Sequence, residues 1–160
     1  MVGILRIHIG FNIMDKQYWL QRFTEKAKTA HKRNISKFAQ RMYNRCTQWK
    51  NSLYTRSKKY GVVCTITIEE LRELLYTVYG TPCKYCGKKL DTNTLVLDHI
   101  IPISKGGSSN INNLQTICRT CNGIKGALEE YQFLTLLEWL ESIPEDMRKD
   151  IRVRLSRGVR

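Results

Sequence analysis

The sequence is poor in the residues that break helices: it has 3 prolines in 160 residues, and neither proline nor glycine occurs between Asp15 and Lys59. That absence excludes a loop-built N-terminal third. Acidic side chains are also scarce, 14 against 27 lysines and arginines, for a net charge of +13. The shortage is concentrated, since residues 1–60 hold 2 acids and 14 bases. An acidic partner is thereby implied, with nucleic acid ahead of an anionic membrane surface. No apolar run approaches the ~18 residues that a bilayer-spanning helix needs. Val2–Met14 is apolar but carries Arg6 and His8 and lacks a small-residue cleavage site, so it does not read as a signal peptide. The expectation is an intracellular protein. Met14 is a second start codon, and residues 1–14 read as an N-terminal extension.

What is present at the N-terminus is helical periodicity. Ile35, Phe38, Met42, Cys46, Trp49 and Leu53 recur at the spacing of one helical face. They predict one or two amphipathic helices over residues 15–59, broken near Asn34, a plausible N-cap. The other faces carry Lys26, Lys28, Lys32, Arg33, Lys37, Arg41, Arg45 and Lys50. A merely solvated face mixes both signs of charge, and this one hardly does; it reads as a surface for a phosphate backbone. Val62–Ile66 reads as extended, and Thr67 with Glu70 as a capping box opening a helix that Gly80 and Pro82 end. Further on come a strand over Thr94–Asp98, a loop through Gly106–Asn110, a strand over Leu114–Ile117 and a helix from Cys121. Two more helices are expected over Glu129–Ser142 and from Glu145 to about Arg157.

Six cysteines in a chain without signs of secretion favour free thiols over disulfides. Cys83, Cys86, Cys118 and Cys121 form two C-x-x-C pairs, which can set four thiolates around one Zn²⁺ in a closed structural site. Cys46 and Cys64 stand alone and read as ordinary buried thiols. The 31 residues between the pairs exceed the usual spacing of a simple ribbon, so another element is inserted. Inside it, Asp98 and His99 place a carboxylate beside an imidazole at a strand end. Neighbouring strand positions point oppositely, so one can hold a metal while the other acts on water.

Cys83-x-x-Cys86, Asp98-His99-x-x-Pro102, Gly106-Gly107, Asn113-Leu114 and Cys118-x-x-Cys121-Asn122-x-x-Lys125 together resemble the zinc-stabilised HNH endonucleases. The resemblance covers about residues 81–127. It implies an α+β fold whose catalytic element is a ββα-metal finger. It also implies that His99 is the general base, that Asp98 and Asn122 ligate one catalytic Mg²⁺ or Mn²⁺, and that Asn113 ties the loop that orients His99. Lys125 falls on a phosphate-contacting position. Cleavage of double-stranded DNA would leave 5′-phosphate and 3′-hydroxyl ends. Many relatives have histidine where Asn122 stands, and asparagine, a neutral oxygen ligand, implies weaker metal binding. On this reading residues 1–14 are an extension, 15–80 a basic helical DNA-binding region, 81–127 the nuclease core with its zinc cage, and 128–160 C-terminal helices packed on it. A homing, phage or restriction-type role, and a phage packaging partner, are not separated by the motif. The alternative is a zinc-stabilised nucleic-acid-binding or assembly module that keeps the fold without the chemistry. Loss of the Asp, His or Asn would mark it, and all three are present.

Overall fold

A computed structural model describes residues 11–29 and 33–157, with the side chains of residues 11–15 excepted. Most of the segment read as an extension, residues 1–10, lies outside the described residues. Two helices occupy the N-terminal third, α1 over Phe11–Thr29 and α2 over Ile35–Tyr60. The break falls where the sequence places it: the Asn34 side chain accepts a hydrogen bond from the Lys37 amide at 3.0 Å and starts α2. Gly61, at φ 66°, ends it in the left-handed region that glycine enters without steric penalty. Trp19, Phe23 and Ala27 of α1 are buried, as are Phe38, Met42, Cys46 and Leu53 of α2. Spacings of four and seven put each set on one stripe, so the helices bury those faces together. α3 spans Ile68–Val78 behind the Thr67–Glu70 capping box, and buries Leu71 and Leu75 in the same core.

The segment 62–66 is extended but makes only one bridge, Cys64 to Ser109, in place of a ladder. The single sheet among the described residues has two strands, β1 over Leu95–His99 and β2 over Leu114–Cys118, paired antiparallel. β1 runs one residue beyond the sequence expectation and so includes His99. α4, Arg119–Lys125, follows without a connecting loop and starts two residues before the expected Cys121. The reason is chemical: the Cys118 sulfur accepts from the Cys121 amide at 3.4 Å, so a cysteine serves as N-cap. The order β1, β2, α4 is the ββα unit within an α+β chain. α5 (Glu130–Ser142) and α6 (Glu145–Ser156) close the chain. The end of α6 sits directly on α4, because a Cβ added at Gly123 would lie 2.4 Å from the Ser156 carbonyl oxygen. No helix among the described residues is long and apolar enough to cross a membrane.

Candidate active site

The hairpin separates two sites. At one end, the sulfurs of Cys83, Cys86, Cys118 and Cys121 all lie within 4.8 Å of one another. Four sulfurs at ~2.3 Å from a shared tetrahedral Zn²⁺ would stand about 3.8 Å apart, so the cluster fits that ion. Two amides already point at sulfurs, Cys118 N at Cys83 and Cys121 N at Cys118, both at 3.4 Å. Burial raises the Cys83 thiol, but backbone amides, that of Cys118 first, outweigh it and hold Cys83 below its ordinary value. Burial and then the adjacent sulfurs push Cys121 far up. Four thiolates therefore coexist only around a cation. Cys46 and Cys64 are not in the cluster; Cys46 is buried, and that burial pushes its thiol up to about 12.

At the other end of the hairpin, Asp98, His99 and Asn122 line one cavity of about 280 Å³. Asp98 Oδ2 accepts from Gln115 Nε2 at 2.9 Å and pairs with Lys125 Nζ at 3.0 Å. Oδ1 is left without a protein partner among the described residues. It and the Asn122 side chain are hard oxygen donors of the kind Mg²⁺ or Mn²⁺ takes. Burial, and then the nearby Arg56 guanidinium, hold His99 below the ordinary histidine range against an opposing pull from Asp98. The ring is thus neutral near pH 7, the form that accepts a proton.

Lys125 corrects one sequence expectation. It is neither a surface phosphate contact nor a solvated lysine: it is 1% exposed, and its Nζ donates to the His99 carbonyl at 2.7 Å as well as pairing with Asp98. One helical turn past Asn122, its side chain passes under β1 rather than away from it. Lys125→Met would leave the largely buried Asp98 carboxylate without its cation, with only Gln115 donating to it, and the His99 carbonyl unmatched, at a cost of about 3 kcal/mol. Denaturant unfolding reads this as a lowered midpoint at unchanged slope. A midpoint equal to the wild type's would show the pair to be energetically idle.

The loop between the strands is pinned from both sides. Asn113 Oδ1 accepts from the Ile101 amide at 2.9 Å, and its Nδ2 donates to the carbonyls of Ile101 at 3.1 Å and Ser108 at 2.8 Å. Only glycine fits at position 107, where a Cβ would lie 1.9 Å from the Ile101 carbonyl oxygen. The fully buried Ser109 links three elements. Its amide donates to Val63 O at 2.8 Å, and its carbonyl accepts from Thr65 and Ile66, each at 3.1 Å. Its hydroxyl lies 2.9 Å from His99 Nε2 and 2.8 Å from the Ser57 hydroxyl of α2.

The basic residues proposed for DNA part into two groups. Lys28, Arg33, Lys37 and Arg41 are exposed, though Lys28 also pairs with Glu25 at 2.9 Å. Lys26 is half-buried, 5.0 Å from the centre of the Tyr76 ring. Arg45 is a second correction: its guanidinium donates to the Thr92 carbonyl at 2.8 Å, tying α2 to the turn before β1 rather than facing solvent. Lys50 likewise donates to the Ile66 carbonyl. Lys32 lies outside the described residues. Missed by the sequence reading are Gln115, Ser109, Ser57, Arg56 and Tyr60. Gln115 was findable, because a hairpin that pairs His99 with Leu114 sets Gln115 opposite Asp98. The α2 residues carry no local signal, being separated from His99 by about forty positions of chain.

Residues 83–134 match the family model described as HNH endonuclease. No curated protein matches the chain.

Proposed function

We propose that this chain, whose residues 83–134 match the HNH endonuclease model, is a nuclease that hydrolyses DNA phosphodiester bonds with His99 as general base. The observation that carries the reading is the convergence of Asp98, His99 and Asn122 on one cavity, apart from the four-cysteine cluster. Zn²⁺ in that cluster has a structural role, since four thiolates leave no position open to water. Asp98 and Asn122 would hold one Mg²⁺ or Mn²⁺, which when bound supplies charge stabilisation at the phosphate and the departing 3′ oxygen.

The protein's own groups do the rest. His99 Nε2 is engaged by Ser109, which leaves Nδ1 to take the proton from the attacking water. Gln115 and Lys125 hold the Asp98 carboxylate from one side, so that its other oxygen is presented in a fixed direction. Asn113 holds the loop that carries Ser109, and so orients His99 through it. Incubation of the protein with supercoiled plasmid and Mg²⁺ tests the reading: nicked or linear product is expected from wild type and not from His99→Ala. Equal background from both would leave a zinc-stabilised binding module as the function.

The exposed bases of α1 and α2 supply the second part of the proposal, sequence-independent contact with the DNA backbone. Each phosphate neutralised contributes roughly 0.9 to the slope of log affinity against log salt. The double charge reversal Lys37→Glu, Arg41→Glu is therefore expected to make that slope shallower by about 2 in fluorescence anisotropy with labelled duplex. An unaltered slope and affinity would make this face ordinary surface.

A further inference from the structure

The matched segment does not close its own cavity. One wall comes from the last turns of α2, as Arg56 and Tyr60 line the same space as Asp98, His99 and Asn122. Arg56 is exposed and has no carboxylate partner among the described residues, unlike Arg22, Arg72, Arg148, Arg152 and Arg154, which sit in ion pairs. Asp98, the carboxylate that shares this cavity, is already matched by the buried Lys125. The charge on Arg56 is consequently unspent, and it stands close enough to His99 to act on it electrostatically. A free guanidinium in the wall of a polar cavity is a fork for an anion with two adjacent oxygens, the geometry of a phosphodiester.

We propose that Arg56 is a catalytic residue of this site, contacting the non-bridging oxygens of the scissile phosphate from the α2 side. It takes the phosphate-binding part that sequence position assigned to Lys125, which is buried beneath β1 and already paired. The inference rests on the nuclease reading and deepens it: the active site is assembled from two stretches of chain, 83–134 and the end of α2. A guanidinium so placed favours the phosphate as negative charge builds on its oxygens, so its loss falls on kcat more than on KM.

The test compares wild type, Arg56→Ala, Arg56→Lys and Arg154→Ala, each checked for zinc content and thermal unfolding. Cleavage of a labelled duplex in Mg²⁺ gives the rates, and anisotropy with the same duplex and no added divalent ion gives the salt slope. Arg56→Ala is expected to lower kcat on the order of 10² and the salt slope by about 1. Arg56→Lys should recover part of the rate, as a point charge without the fork, and Arg154→Ala, on the exposed face of α6, should leave kcat unaltered. Added Mg²⁺ should not rescue Arg56→Ala. Wild-type rate and slope in Arg56→Ala overturn the inference, and so does a slowed rate with an unaltered slope. If wild type itself cleaves nothing, the nuclease reading falls, while the binding arm still decides whether Arg56 meets phosphate.

Discussion

His99→Ala is expected to lower DNA cleavage by a factor of ~10² to 10⁴, the usual worth of a positioned general base. DNA affinity, zinc content and folding should persist, because the imidazole holds no element in place beyond its contact with Ser109. Asp98→Ala and Asn122→Ala remove oxygen donors instead, so part of their lost rate should return as Mg²⁺ or Mn²⁺ is raised. Metal titration of the three variants separates the roles: rescue of His99→Ala with none for Asp98→Ala would reverse them. The pH profile supplies an independent check. Burial and Arg56 lower the His99 pKa, so the neutral base persists as pH falls, and the acid limb of the rate should lie below the usual histidine value of about 6.5. A limb above that value would contradict the buried, neutral ring.

Removal of zinc is expected to have the largest effect on the fold. Structural zinc contributes roughly 10–16 kcal/mol in zinc-finger peptides, as much as or more than the roughly 5–15 kcal/mol net stability of a whole domain. Cys118 is the most exposed to this loss, since it is at once the last residue of β2, a member of the cluster and the N-cap of α4. Chelation, or Cys118→Ser, should abolish the cooperative unfolding transition of the ββα unit and release stoichiometric Zn²⁺. Phe23, Met42 and Leu71 of α1 to α3 lie in one hydrophobic cluster with Leu95 and Ile117 of the hairpin, but no cluster cysteine belongs to these three helices, so part of the helical signal should remain in circular dichroism. Retention of the full transition after complete zinc loss would assign the cluster a lesser role.

These expectations show which parts of the molecule were legible in the amino-acid order. The Asn34 break, the Thr67–Glu70 box and the two cysteine pairs are written locally, within a turn or two of chain, and physical chemistry acts on them at that range. That Asp98, His99 and Asn122 would share one cavity was legible because the resemblance spans the three positions. Arg45, Lys50 and Lys125 were not legible, since sequence shows that a residue is basic but not whether a distant carbonyl already consumes its protons. Arg56 and Ser57 were hidden for the same reason. Their neighbours in space, the cavity wall and Ser109, lie about fifty residues away along the chain.

The hairpin register has a consequence for how such a chain can vary over time. Leu95 pairs with Cys118 and His99 with Leu114, so four steps of strand, about 14 Å, separate the cage from the chemistry. Both ends are anchored, one by sulfur and the other by the loop pinned at Asn113. Deleting a single residue from β1 between Leu95 and Asp98 rotates everything beyond it by half a pleat, and would exchange the directions of Asp98 and His99. Side chains along the arms are open to replacement by drift. Their number is not, because the loss of one residue from this short ruler would turn each of Asp98 and His99 to the face the other now occupies.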